Sequence, residues 1–223
     1  MKILGISFGT KNGNNDTMCK VALKGAKEAG AEVEFIQMSS INIKHCTGCC
    51  ACVKTLLSGK GSMCVLKDDF EWLLDKMKDA DGIVVSDPIF EEGASGLFHT
   101  IMDRFGPRAD RGNNIIGTKV AEAIGGKIPD SRMLNDKVIS FMGIGGSDWG
   151  TRVQCEHAML ALIPMWKVID NAWFPWAKEL VMDDTRLVQV HQIGLNIVEA
   201  AKDFEKASYQ GEEEIGRASC RER

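Results

Sequence analysis

Cys46, Cys49, Cys52 and Cys64 follow one another at gaps of two, two and eleven residues, with Cys50 alongside. Thiolates at the shorter spacing can wrap one face of a 4Fe-4S cube, and a distant fourth can close it if the intervening chain bends back. Gly59 and Gly61 give the stretch before Cys64 that freedom. Zinc accepts the same four sulfurs in a tetrahedron. Unligated thiols that pack as small hydrophobes are the third reading, and the spacing leaves all three open. In a cluster reading Cys50 is the spare thiol, because neighbouring residues 49 and 50 point in different directions. Cys19 and Cys155 fall in helical pattern and are expected in the core.

Three further segments carry groups that suit a flat, phosphorylated ligand. Ser7 to Thr17 offers the hydroxyls and amides of Ser7, Thr10, Asn12, Asn14 and Thr17 with backbone N–H groups ahead of a helix, a setting that favours phosphate. It has neither the G-x-G-x-x-G pattern of dinucleotide folds nor the G-x-x-x-x-G-K pattern of nucleotide hydrolases, and a solvated turn has similar composition. Asp87 to Gly96 is stiffened by Pro88, and Gly93 and Gly96 allow close backbone approach; Ile89, Phe90 and Glu91 lie between. Gly143 to Gly150 repeats the design, with Gly145, Gly146 and Trp149 as floor and wall. Three such loops at one sheet edge favour a phosphorylated cofactor over three unrelated turns.

The elements that must position these loops alternate strand and helix. Apolar runs at 2–7, 33–36, 82–86, 138–142 and 166–169 read as strands, and helical spacing covers 18–29, 70–78, 94–105, 153–162 and 187–204. The stripe of Phe70, Leu73, Leu74 and Met77, with Trp72 at its margin, is core. Alternation of this kind predicts an α/β fold with a parallel sheet covered on both faces. Residues 107–136 are polar, glycine-bearing and weakly periodic, which predicts an insertion that covers the ligand or meets another subunit.

Composition narrows the function. The 223 residues are 44% hydrophobic, enough for one sizeable core, and no apolar run approaches the roughly 20 residues of a membrane span. A formal charge of -4 excludes the basic footprint of a nucleic-acid binder. The opening MKILGISFG lacks a secretory pattern, so the eight cysteines are expected in a reducing, cytoplasmic setting. Residues 1–208 are expected to form one domain and 209–223 a tail, of which 214–223 reads as sequence of non-native origin.

Ser7 with the Asn-Gly-Asn stretch to Thr17, the Cys46-Thr47-Gly48-Cys49 to Cys64 insertion before Asp68-Asp69-Phe70, the Asp87-Pro88-Ile89-Phe90 loop leading to Met102-Asp103-Arg104, and Gly145-Gly146 occur in a characteristic order. Over residues 1 to 205 the sequence resembles the flavodoxin-like NAD(P)H-dependent FMN reductases, and within them the iron-sulfur flavoproteins. The resemblance implies a doubly wound parallel sheet in the order 2-1-3-4-5 with a cysteine-bearing loop insertion. It implies FMN, with its phosphate on the first loop and its ring between the second and third, and a homodimer or homotetramer. Asn14-Asn15-Asp16-Thr17 is longer than the family's Gly-Asn-Thr, and the gap before Cys64 is longer than usual. The expected activity is electron transfer between NAD(P)H and a cluster or small organic acceptor, with no side chain acting as nucleophile or general acid. The alternative is a flavin and iron-sulfur carrier reduced by ferredoxin.

Overall fold

The computed structural model describes residues 1–145, 150–176 and 180–210. Five parallel strands form one sheet in the order β2-β1-β3-β4-β5, where β1 is Lys2–Ser7, β2 Glu32–Gln37, β3 Gly82–Pro88, β4 Val138–Gly145 and β5 Lys167–Pro175. The topology matches the sequence-based expectation. The central strands are buried along nearly their whole length, as a sheet covered on both faces requires.

Because successive strand side chains point to opposite faces, neighbouring residues feed two separate cores. Leu4, Ile6, Ile83, Val85, Ile139 and Phe141 pack with α3 (Phe70–Asp79) and α4 (Gly96–Ala109). Ile3, Val84, Val138, Met142 and Ile169 pack with α1 (Asn14–Glu28) and α7 (Asp184–Lys202). The last two helices meet where Gly194 admits the backbone of α1: a Cβ there would stand 1.8 Å from the Ala22 carbonyl oxygen. Neither backbone can yield without moving its helix. Gly194→Ala is therefore expected to cost about 1–3 kcal/mol through overpacking, read as a lower urea midpoint with an unchanged slope.

The cysteine-bearing loop insertion is present, and at its end Ala51–Leu57 forms a short helix, α2, entered through Cys50 in the left-handed region at φ 56°. One expectation needs correction: residues 107–136, weakly periodic in sequence, are not weakly structured. The fourth helix continues past a break at Gly106 (φ 29°, ψ -135°) to Ala109, and α5 follows over Arg111–Ile124, its N-terminus capped by the Asp110 carboxylate. Gly112, Asn113, Asn114 and Gly117 are poor helix formers, so propensity hid this helix. Packing explains it: a Cβ on Gly117 would fall 2.3 Å from Leu56, so the glycine lets α5 lie directly against α2. The Lys127 N–H donates to the Gly59 carbonyl at 2.6 Å and ties the far end to the same segment. The stretch thus packs against the cysteine insertion.

The remaining helix, α6, spans Gly150–Leu162. Trp166 is buried edge-on against Phe105, whereas Met159, Met165 and Trp176 are exposed. No helix among the described residues is long and apolar enough to cross a membrane.

Candidate flavin cavity and cysteine pocket

At the carboxyl edge of the sheet an open cavity of 580 Å³ lies between the loop after β1 and the ends of β3 and β4. Phe8, Gly9, Thr10, Lys11, Asn14 and Asn15 line one side, with Ser39 at the margin. Pro88, Ile89 and Phe90 face them, and Ile144 and Gly145 close the floor. An apolar slot with a polar, cationic end matches a flat ring carrying a phosphate. The position is also where open parallel sheets bind ligands.

Of the residues singled out in the sequence, Thr10, Asn14, Pro88, Ile89, Phe90 and Gly145 line this cavity. Ser7 does not; it is fully buried and its hydroxyl donates to Asp16 Oδ1 at 2.6 Å. The other oxygen of Asp16 accepts the Asn12 N–H at 2.7 Å, so Asn12 and Ser7 brace the loop from beneath. The Thr17 hydroxyl donates back to the Gly13 carbonyl at 3.1 Å. Glu91, at φ 45°, and Gly93 form the small turn in which Phe90 and Gly93 exchange backbone hydrogen bonds. Gly146 and Trp149 lie outside the described residues.

This division makes a prediction. Thr10→Ala is expected to weaken FMN by the net contribution of one neutral hydrogen bond, about 0.5–1.5 kcal/mol, with stability unchanged. Ser7→Ala is expected to lower stability first, by leaving Asp16 without a buried donor. Paired FMN titrations and thermal melts separate the two.

Beneath the second loop lies a buried polar group that sequence reading passed over. Asp87 accepts the Ser95 N–H at 3.0 Å and its hydroxyl at 2.6 Å, which fixes the entry to α4. His157 Nε2 stands 3.4 Å from the same carboxylate, and its ring stacks on Phe141 at 5.1 Å. Both side chains are fully buried. A helical histidine seventy residues from its partner carries no local sequence signal.

The cysteine series surrounds a second, smaller cavity of 160 Å³, bordered by Cys46, Cys49, Cys50, Cys52 and Cys64. Arg104 and Arg108 reach in from α4, with Asp103 beside them in the lining. Arg104 clasps Asp68 with contacts of 2.6 and 3.1 Å, donates to the Lys44 carbonyl at 2.8 Å and lies 3.5 Å from the Cys64 sulfur. His45, beside the first cysteine, is held through Nδ1 by the Thr100 hydroxyl at 3.0 Å. Burial pushes the Cys52 thiol above its usual range, while a hydrogen bond from the Ala51 backbone draws the exposed Cys49 thiol below it. Among the described residues no three His, Cys, Asp or Glu side chains converge as ligands of one metal ion. The soft sulfur donors, gathered on one cavity against buried cations, do fit a group that is anionic when thiolate-bound.

The comparisons with known proteins agree with this architecture. An iron-sulfur flavoprotein of Methanocaldococcus jannaschii is 33% identical over 172 residues, covering 77% of this chain and 77% of its own. The solved structure of a flavone reductase superposes with a TM-score of 0.83 at 63% identity, covering 95% of this chain and 66% of that longer one. An archaeal flavodoxin shares the fold alone, with a TM-score of 0.55 at 16% identity over 91% of this chain and 99% of its own. The family model described as NADPH-dependent FMN reductase matches residues 1–180, and with the 2-1-3-4-5 sheet and its edge cavity it makes this chain a member of that family of flavin oxidoreductases.

Proposed function

We propose that this protein is a cytoplasmic oxidoreductase that binds FMN in the 580 Å³ cavity and passes electrons from NAD(P)H to a flat, conjugated organic acceptor of the flavone type. The observation that carries the reading is the slot itself, polar and cationic at Thr10, Lys11 and Asn14 and apolar at Ile89, Phe90 and Ile144. When bound, FMN supplies the hydride exchange, and the protein supplies binding, orientation and electrostatics. The loop from Thr10 to Asn14 would hold the phosphate, with Lys11 balancing its charge. Pro88 to Phe90 and Gly145 would flank the ring. Phe90 is largely exposed, so it offers an apolar face to a second planar molecule arriving at the ring. The acceptor class rests on the flavone reductase, 63% identical to this chain.

The cysteine pocket supports a second electron site. In this reading Cys46, Cys49, Cys52 and Cys64 hold a 4Fe-4S cluster and Cys50 stays free. The observation behind it is that all five cysteines border one cavity, where four of them would supply the thiolate ligands. When bound, the cluster would accept and release single electrons. A homodimer or homotetramer would cover the exposed Met159, Leu162 and Met165. The second reading is a carrier with ferredoxin as partner; the relatives named iron-sulfur flavoproteins support its flavin and its cluster.

Anaerobic stopped-flow spectroscopy decides between the two. Flavin reduction by NADH or NADPH, followed by reoxidation with a flavone, supports the enzyme. Reduction by reduced ferredoxin alone supports the carrier, and protein that releases no flavin on denaturation and binds none when FMN is added sinks both.

A further inference from the structure

We infer that Arg108 is the buried cation that holds the thiolate-ligated group of the cysteine pocket and raises its affinity for an electron; the inference rests on the cluster reading above. Two arginines four positions apart on α4 enter this cavity, with the chain broken at Gly106 between them. Both guanidinium groups lie over the Phe70 ring, at 4.5 and 5.8 Å. Their charges are balanced differently. Arg104 is matched by Asp68 in a pair whose side chains are 2% and 0% exposed. Arg108 is itself only 7% exposed, but its counterion Glu71 is 53% exposed and stands at the solvent side.

Arg108 Nε, moreover, is buried without a hydrogen-bond partner. A guanidinium donor withdrawn from water and left unfilled is costly, so the fold has either accepted that penalty or provided an acceptor. The sulfurs of Cys52 and Cys64 border this cavity, as does the Asp103 carboxylate; burial disfavours the Arg108 cation, and negative charge on those two sulfurs would oppose that effect. A neutral thiol accepts weakly, whereas an iron-bound thiolate is anionic and accepts well. Reduction adds one further negative charge to such a group. A fixed cation against it stabilises the reduced form more than the oxidised one, and the burial of Arg108 on its side of the cavity limits the screening. Glu71 works against this from outside, screened by water.

The test uses the full chain, purified and reconstituted anaerobically with iron and sulfide. Iron content and the midpoint potential from an electron paramagnetic resonance titration are compared for the wild type, Arg108→Gln, Arg108→Lys and Glu71→Gln. Arg108→Gln is expected to lose iron, or to keep it with a reduction constant about tenfold weaker, a fall of about 59 mV for one electron. Arg108→Lys should recover part of either loss. Glu71→Gln, a change at a half-exposed site, should raise the potential, and it decides the matter if Arg108→Gln does not fold. Full iron at the wild-type potential in Arg108→Gln, or a Glu71→Gln potential that is unchanged or lower, overturns the inference alone. An iron-free wild type overturns the cluster reading and the inference with it.

Discussion

Asp68→Asn is expected to cost about 3–5 kcal/mol, the usual penalty for stripping one partner from a buried ion pair. The carboxylate does three jobs. It receives both Arg104 guanidinium contacts, it accepts the Lys44 N–H at 2.8 Å, and it accepts the Phe70 N–H at 3.2 Å, opening α3. Asparagine keeps the shape but leaves the Arg104 charge uncompensated where its side chain is 2% exposed. The loss should not stay local, because Arg104 also fixes the Lys44 carbonyl just ahead of the cysteine series. Burial pushes the Asp68 carboxyl upward, but the Arg104 guanidinium and the two backbone donors outweigh it and hold it below the usual carboxylate range. Its contribution is therefore complete above the unfolded value of about 3.9 and is lost as pH falls through the lower folded value. Urea unfolding of wild type and Asp68→Asn at neutral pH and near pH 3 checks both points. The gap between them should narrow on acidification, and equal stability at neutral pH would refute the assignment.

How much of this could be read in the sequence depends on the range of the interactions. The stripe of Phe70, Leu73, Leu74 and Met77 is buried as its spacing predicts, and Trp72 at its margin is 44% exposed. The parallel sheet followed from alternation, since each parallel step needs its helix, and the strand order came from the resemblance. Strand ends were less legible. β3, β4 and β5 run on to Pro88, Gly145 and Pro175, residues that propensity treats as breakers, because the ladder with a neighbour carries the chain through them. The loops announced a ligand by composition, yet composition does not say which way a hydroxyl points. Ser7 and Thr10 look alike in sequence; one turns to Asp16 and the other to the cavity. Arg104 and Arg108 escaped notice as pocket residues because Asp68 and Glu71 stand 36 and 37 positions away, beyond any local pattern.

Gly145→Val is expected to weaken FMN by about a hundredfold, about 2.7 kcal/mol, while the protein stays folded. Gly145 ends β4 on the cavity floor, and a Cβ there would lie 2.9 Å from the Cβ of Ile89, its neighbour in the cavity lining. Ile89 cannot simply withdraw, since its N–H is bonded to the Ile144 carbonyl at 2.8 Å and Pro88 restricts the backbone before it. The branched γ carbons of valine would therefore project into the slot or drive Ile89 into it. Either movement occupies the width that a planar ring needs. The same overpacking should lower stability by about 1–3 kcal/mol, short of unfolding the protein. Equilibrium FMN titration beside a melt of the flavin-free protein separates loss of the slot from loss of the fold. Undiminished FMN affinity in a folded Gly145→Val protein would place the flavin elsewhere on the molecule.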